Sequence, residues 1–143
     1  MDLRRHGLSM HPLWRTLGIA WASPYTLVGL LVGGVGLCCG ARVQRRGRVI
    51  EFHSGGVRWL VRHLPLGEST LAITLGHTVL GQTSAALDIA REHELVHVRQ
   101  FERWGLLMGP AYVGWSLFLW CVGGRPYLDN PFEREAYELT GEF

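Results

Sequence analysis

The chain lacks lysine altogether, and it has few cysteines and little net charge. All fourteen basic residues among its 143 are arginine, and twelve acidic residues leave a formal net charge of +2. That balance does not indicate nucleic acid as a partner, which would require a basic face with interleaved aromatic side chains. Three cysteines, Cys38, Cys39 and Cys121, with no Cys-x-x-Cys spacing, exclude a disulfide framework. The sequence also contains no internal repeat and no low-complexity segment.

Hydrophobic residues make up 48% of the chain and concentrate in two blocks, 17–40 and 105–124. The first block runs 24 residues without a charge, long enough for a helix to cross about 30 Å of hydrocarbon. It exceeds the ~7–15 apolar residues of a cleaved signal peptide, which is the alternative. We therefore expect a transmembrane anchor at 17–40 after a polar N-terminal segment, 1–16. Four arginines between residues 42 and 48 follow the block and are typical of a membrane-flanking segment.

Residues 48–82 alternate between apolar and polar side chains with the period of two that is typical of half-buried strands. The pattern predicts strands near residues 49–53, 57–61, 71–75 and 78–80. Gly76-His77 suits a two-residue type II′ hairpin loop, because glycine readily adopts the positive φ that its first position requires. We expect a small antiparallel sheet of three or four strands.

Capping residues predict two helices after the sheet. Thr83 or Ser84 can cap a helix over about 85–104, which Gly105 terminates. Asn130 can cap a last helix that has Pro131 at its first position and ends near residues 140–141. The expected fold class is α+β, with a transmembrane helix, a small antiparallel sheet, a helix bearing the motif described next, an apolar helical hairpin or interfacial helix, and a short C-terminal glutamate helix.

The sequence His93-Glu94-Leu95-Val96-His97 lies within the first of these two helices. Residues four apart stand one turn above each other on one helix face, so both imidazoles can bind the same ion. Glu94 is near enough to take a proton from a water that zinc activates for attack on a carbonyl. The spacing therefore predicts a zinc site with His93 and His97 as ligands and Glu94 as general base. The alternative is an accidental match on a solvated helix.

A catalytic zinc site requires a third protein ligand. The last predicted helix contains Glu133-x-x-Ala136, and with it the chain resembles the gluzincin-type zinc metallopeptidases. Gln100 extends the likeness to small predicted peptidases that carry His-Glu-x-x-His-x-x-Gln. The resemblance covers about residues 70–140, and it implies that Glu133 is the third zinc ligand.

Glu133 also has a structural alternative. With Asn130 as cap, it falls at the third position of the helix, where it could close a capping box. If Glu133 served that purpose, Glu135 or Glu138 would be the next candidates for the third ligand.

The chain departs from the gluzincin pattern at one residue. Tyr137 stands where such families often carry an aspartate that orients a ligand histidine. Either another carboxylate, such as Asp129 or Asp88, takes that role, or the site is weaker. Tyr112, Tyr127 or Tyr137 could donate a hydrogen bond to a developing oxyanion, and nothing in the spacing selects among them.

The second apolar block separates the two histidines from Glu133. A single crossing of the membrane by this block would leave the three ligands on opposite sides. Gly109-Pro110 and later glycines favour a bent, re-entrant or interfacial segment instead, and the alternative is a buried core helix. Residues 41–143 would then form a minimal zincin-like domain with an embedded apolar segment at 105–124.

These features predict a zinc-dependent metallopeptidase that acts on peptides or proteins at or near a membrane, with lipid contact and no nucleic-acid partner. We expect a membrane of the bacterial inner-membrane type, and the arginines after the first block favour a cytoplasmic domain. An edge strand within 70–81 could hold an extended peptide. The alternative is a non-catalytic zinc-binding membrane protein with a structural or regulatory role.

Overall fold

The computed structural model describes residues 12–66 and 69–142, so most of the predicted N-terminal segment, 1–16, lies outside the described residues. The protein is α+β, as predicted. In chain order its elements are α1 (Pro12–Cys38), β1 (Arg42–Arg46), β2 (Val49–His53), α2 (Gly55–His63), β3 (Ala72–Leu75), β4 (Thr78–Gly81), α3 (Ser84–Trp104), α4 (Met108–Cys121) and α5 (Pro131–Thr140). A 3₁₀ turn, Gly105–Leu107, joins α3 to α4.

The sheet is mixed, so the prediction of an antiparallel sheet is wrong for one pair of strands. Its order is β1-β2-β4-β3, with β1–β2 and β3–β4 antiparallel and β2–β4 parallel. A parallel pair needs a crossover connection, and helix α2 lies within it, where a strand was predicted at 57–61. Val57 and Val61 are buried four residues apart, while Trp59 is 63% exposed. The alternation of apolar and polar residues at 57–61 therefore reflects one buried face of a helix and not a strand.

The β3–β4 hairpin and the caps of α3 and α5 confirm their predictions. Gly76 has φ +63 and His77 is not among the positive-φ residues, as a type II′ loop requires. Thr83 accepts a hydrogen bond from the Ala86 amide at the start of α3, and Asn130 accepts one from the Phe132 amide at the start of α5.

The sheet lies between two helical layers. On one face, strand residues pack against α3, in a cluster of Val49, Ala72, Val79, Leu87 and Val98. On the other face they pack against α2 and α1, in a cluster that includes Phe52, Val57, Val61 and Leu80. A third cluster joins α1, α3, α4 and α5 through Ala22, Phe101, Met108 and Phe132.

Helix α1 contacts the rest of the chain through small residues. Its buried residues are Gly18, Ala22, Gly29, Gly33 and Gly36. Tyr25, Leu30 and Val32 pack against the core, while most of the other large apolar side chains face outward, so that Leu31 is 70% exposed and Val35 68% exposed. By length and composition α1 is the one helix among the described residues that could cross a membrane.

Alanine at Gly33 is expected to destabilise the fold, whereas alanine at Gly34 is not. A Cβ at Gly33 would overlap the buried ring of Phe52, while a Cβ at Gly34 meets no atom within 4 Å. Overpacking of this kind costs about 1–3 kcal/mol, and glycine-to-alanine replacement at an open helical site gains up to about 1 kcal/mol. Denaturant unfolding of both variants measures the difference. Equal midpoints would contradict the packing of α1 on the sheet through Gly33.

The second apolar block forms one helix rather than a hairpin. Helix α4 has 14 residues, and Gly109-Pro110 lies in its first turn instead of breaking it. Met108 is its only buried residue, and Trp120 is 69% exposed, so the alternative of a buried core helix is wrong. Residues 122–130 then bring the chain back, which places α5 against α3.

Candidate metal centre

Helices α3 and α5 bring the three predicted ligands together. His93 and His97 lie one turn apart on α3, and Glu133 lies in the first turn of α5; all three are buried. His93 Nε2 is 3.0 Å from Glu133 Oε2, His97 Nε2 is 3.3 Å from Glu133 Oε1, and the two Nε2 atoms are 3.1 Å apart. Because residues 122–130 return the chain to α3 after α4, the two imidazoles and the carboxylate lie next to one another.

The capping-box alternative for Glu133 is wrong. The Asn130 amide donates to the Tyr127 carbonyl at 3.1 Å, and not to the Glu133 carboxylate. That carboxylate instead contacts the two imidazoles and accepts a 2.8 Å hydrogen bond from the Tyr112 hydroxyl. Glu133 is thus free of a capping role and points into the space between α3, α4 and α5.

Gln100 fixes the orientation and the tautomer of His97. The Gln100 amide nitrogen donates to the Phe132 carbonyl at 2.9 Å and to Glu135 at 2.8 Å, so the amide oxygen must face His97. His97 Nδ1 lies 2.8 Å from that oxygen and therefore donates to it. In the neutral imidazole, Nε2 then has a free lone pair directed towards Glu133 and His93.

His93 has a different environment. The ring of Tyr137 lies 4.7 Å from its centroid, where an aspartate partner was considered. Within residues 12–66 and 69–142, His93 Nδ1 has no hydrogen-bond partner, and it lies 3.5 Å from a carboxylate oxygen of Glu142. The expectation that Asp129 or Asp88 orients a histidine is wrong, because Asp129 pairs with Arg125 and Asp88 with Arg91.

The other candidate ligands do not reach the site. Glu135 is bound to Gln100 and, at 3.0 Å, to Arg103. Glu138 is exposed and lies 3.9 Å from Arg134. Glu135 thus supports His97 indirectly, through Gln100, while Glu138 lies on the outer surface of α5.

Glu94 lies beside the three-residue cluster and is held by the sheet. The Thr74 hydroxyl on β3 donates a 2.6 Å hydrogen bond to Glu94 Oε2. Burial raises the pKa of this carboxyl above its ordinary value, against the opposing effects of His97 and Thr74. A carboxyl with a raised pKa is a better proton acceptor than an ordinary glutamate.

The electrostatics of the cluster favour a positive charge between its members. Burial alone would lower the pKa of His97, but hydrogen bonding to Glu133 and its charge raise it to about 9. Burial alone would raise the pKa of Glu133, but hydrogen bonds from His93 and His97 lower it to about 2. A buried carboxylate therefore stabilises a cation at the point where the two imidazoles meet it.

A cavity of about 320 Å³ opens onto this cluster. Its polar wall includes Glu94, His97 and Glu133, together with the hydroxyl-bearing Tyr112 and Tyr127. Strand β3 forms another wall, and it is an edge strand, so one side of its backbone is not paired with any strand of the described chain. Of the three tyrosines considered for oxyanion stabilisation, Tyr112 and Tyr127 line the cavity, while Tyr137 packs on His93.

The donor atoms fit a single divalent cation. One ligand atom from each of His93, His97 and Glu133 lies within 4.8 Å of the others. Tetrahedral bonds of about 2.0–2.1 Å, as zinc forms to nitrogen and oxygen, put ligand atoms roughly 3.3 Å apart. The observed separations of 3.0–3.3 Å, in which His93 and His97 each approach a different oxygen of Glu133, are close to that value. Imidazole and carboxylate donors suit zinc and several other first-row divalent metals.

Sequence reasoning missed two supports of the cluster. Nothing in the pattern of β3 distinguishes Thr74, whose hydroxyl meets Glu94 only because β3 packs across α3. The role of Gln100 could have been predicted, since it lies three residues after His97 and therefore on the same helix face.

Comparison of the chain with protein-family models, with curated proteins and with solved structures gave no match.

Proposed function

We propose that the protein is a zinc-dependent metallopeptidase acting at or near a membrane. The convergence of His93 Nε2, His97 Nε2 and the Glu133 carboxylate within 3.3 Å of one another supports the proposal more than any other observation. Three protein ligands leave a fourth position for water, which is the arrangement of catalytic zinc sites. Glu94 in the same cavity provides the base that hydrolysis needs.

In this proposal Glu94 moves the proton during peptide-bond hydrolysis. Bound zinc supplies Lewis acidity, which lowers the pKa of water and polarises the scissile carbonyl. Glu94 accepts a proton as the water oxygen attacks the carbonyl carbon, and it returns that proton to the amine nitrogen when the C–N bond breaks. Thr74 holds one carboxylate oxygen of Glu94 at 2.6 Å and so limits its rotation.

The substrate is proposed to bind along β3. An extended peptide can pair with the free edge of a sheet through main-chain hydrogen bonds. Residues Ala72–Leu75 form that edge and line the cavity beside Glu94, which would bring a paired peptide next to the base. The hydroxyls of Tyr112 and Tyr127 lie in the same cavity, and Tyr112 would exchange its hydrogen bond to Glu133 for one to the developing oxyanion.

The proposed location is a membrane of the bacterial inner-membrane type, with the domain on the cytoplasmic side. Support comes from α1, which is long and apolar, and from α4, which exposes apolar side chains without a charge between residues 105 and 124. The arginines after α1 favour the cytoplasmic side, because anionic lipids of that leaflet attract basic residues near the membrane surface.

The experiment that tests this function measures zinc content and hydrolysis together. We expect the purified chain to contain one zinc, to cleave members of a broad peptide library, to lose activity on chelation and to regain it with zinc. Stoichiometric zinc without hydrolysis would favour the alternative, a non-catalytic zinc protein with a structural or regulatory role. Absence of zinc from protein purified without chelator would contradict both.

Replacing Gln100 by leucine is expected to weaken zinc binding about 10–100-fold, the effect typical of a partner that orients a ligand histidine. The substitution removes the acceptor of His97 Nδ1–H together with the amide donor to Phe132 and Glu135, and it changes none of the three ligand residues. Competition with a chromophoric chelator measures the affinity. Arg99→Leu is the matched control, because Arg99 is exposed on the same helix; equal effects of both substitutions would contradict the role of Gln100.

A further inference from the structure

We infer that α1 lies along the surface of a lipid bilayer rather than across it, with its outer face in the lipid and the domain on the water side. The sequence alone predicts a crossing. The inference rests on the proposed membrane association and is independent of the proposed hydrolysis. The packing of α1 on the sheet favours the in-plane arrangement.

The outer face of α1 is chemically suited to lipid. No charged residue occurs from 16 to 41, and Trp14, Leu31 and Val35 are 63, 70 and 68% exposed. A protein-binding surface is ordinarily only a little more than half apolar and has a polar rim. An uninterrupted apolar face with tryptophan near one end is what a helix at the lipid boundary presents.

Other elements of the domain pack against α1 along most of the length of this helix. Gly18 packs against Glu102 of α3, and Gly36 packs against Val57 of α2. Eighteen residues of α-helix separate these contacts, which is about 27 Å. The hydrocarbon core of a bilayer is only about 30 Å thick. If α1 crossed the bilayer, the elements packed against it would lie at the depth of the hydrocarbon.

The sheet runs in the same direction as α1. Gly29 packs against Thr78, which pairs with Ile50 on β2, and Gly33 packs against Phe52. The step from Gly29 to Gly33 is about 6 Å of helix, and the step from Ile50 to Phe52 is about 6.6 Å of strand. Since the two advances nearly match, β2 and β4 run in the same general direction as α1, which passes obliquely from β4 to β2. The level of a strand residue along α1 then follows from the helix residue that packs nearest to it.

This register places arginine at the level of the middle of α1. Arg45 on β1 pairs with Ile50, so it lies at the level of Gly29, and its side chain is exposed. Strand β1 is also an edge of the sheet, with one side of its backbone unpaired within the described chain. Lipid-exposed arginine is costly in hydrocarbon, and open sheet edges do not occur there. An in-plane α1 keeps both in water.

Helix α4 adds a second apolar surface next to α1. The Tyr25 hydroxyl donates to the Leu106 carbonyl and accepts from the Gly109 amide, both at 3.0 Å. The 14 residues of α4 extend about 21 Å, which is too short for a crossing. Tyr25, Gly109 and Val113 also line the cavity, so the metal centre lies close to the lipid-contacting helices.

Depth measurement along α1 tests the inference. In a background with Cys38, Cys39 and Cys121 replaced by serine, Leu17→Cys, Val28→Cys and Val35→Cys are spin-labelled in phosphatidylcholine vesicles. In-plane binding is expected to place all three labels at similar depths, about 5–10 Å below the headgroups. A profile with Val28→Cys near the bilayer centre and the other two near opposite surfaces would overturn the inference and leave membrane association standing.

Vesicle partitioning tests whether the outer face makes the lipid contact. Leu31→Arg is expected to reduce binding of the full chain to phosphatidylcholine vesicles about tenfold or more. Ile89→Arg is the control, because Ile89 is also 70% exposed but lies on α3. An equal loss in both variants, or no binding by the wild-type chain, would overturn the inference. Hydrolysis of soluble peptides, measured in parallel, reports on the peptidase proposal separately.

Discussion

Replacing Glu94 by glutamine is expected to lower peptide hydrolysis by about 10²–10⁴-fold, the usual contribution of a general acid–base group. Glutamine preserves the volume of the side chain and can still accept the Thr74 hydrogen bond, which the hydroxyl donates to Glu94 Oε2 at 2.6 Å. It cannot take a proton from water. The loss is therefore expected in kcat, measured under saturating peptide, with the zinc content unchanged.

Glu92→Gln is the matched control for this experiment. Glu92 lies on the same turn of α3, but its side chain is exposed. We expect wild-type kcat and zinc content in this variant. Hydrolysis that survived Glu94→Gln would contradict the role of Glu94 even if zinc were essential. Loss of zinc from the Glu94→Gln variant would instead mean that Glu94 supports the ligand cluster.

The local features of the fold were predictable from sequence because they depend on residues close together in the chain. Caps at Thr83 and Asn130, the stop at Gly105 and the hairpin at Gly76 each follow from the chemistry of one turn. The placement of His93 and His97 on one face follows from helical spacing alone.

The errors arose where long-range packing decides the structure. The period of a strand fits Val57, Trp59 and Val61, but one face of a helix fits Val57 and Val61 equally well. The helix forms because the parallel pairing of β2 with β4 requires a crossover connection, and α2 is part of that connection. Strand β1 was not predicted, because its arginines were interpreted as a segment that flanks a transmembrane helix. Residues 42–46 form a strand because they pair with β2, and no local sequence signal predicts that pairing.

At the candidate site, too, the local features were predictable from sequence and the long-range packing was not. The motif on α3 was readable, but the approach of Glu133 depends on where α4 turns the chain. Asn130 contributes to that turn, since its side-chain amide donates to the Tyr112 carbonyl and to the Ser116 hydroxyl of α4 at 3.0 and 2.9 Å. These bonds tie the start of α5 to α4 and thereby direct Glu133 towards the histidines.

Replacing Glu133 by glutamine is expected to weaken zinc binding by more than about 100-fold, beyond the effect typical of an outer partner such as Gln100. The neutral amide is a poor ligand and no longer offsets the charge of the ion. Stability provides a second measurement: a ligand at about 1,000 times its Kd stabilises the folded state by about 4 kcal/mol. Chelation should therefore lower the melting temperature of the wild-type protein and leave that of the variant unchanged.

Glu138→Gln separates the ligand role from a general effect of charge on α5. Glu138 is exposed and lies 3.9 Å from the Arg134 guanidinium. Because its side chain does not reach the histidines, we expect zinc affinity and the chelation-induced shift of the wild-type protein. The opposite pattern, with zinc lost on Glu138→Gln and retained on Glu133→Gln, would mean that the carboxylate packed between His93 and His97 is not a metal ligand.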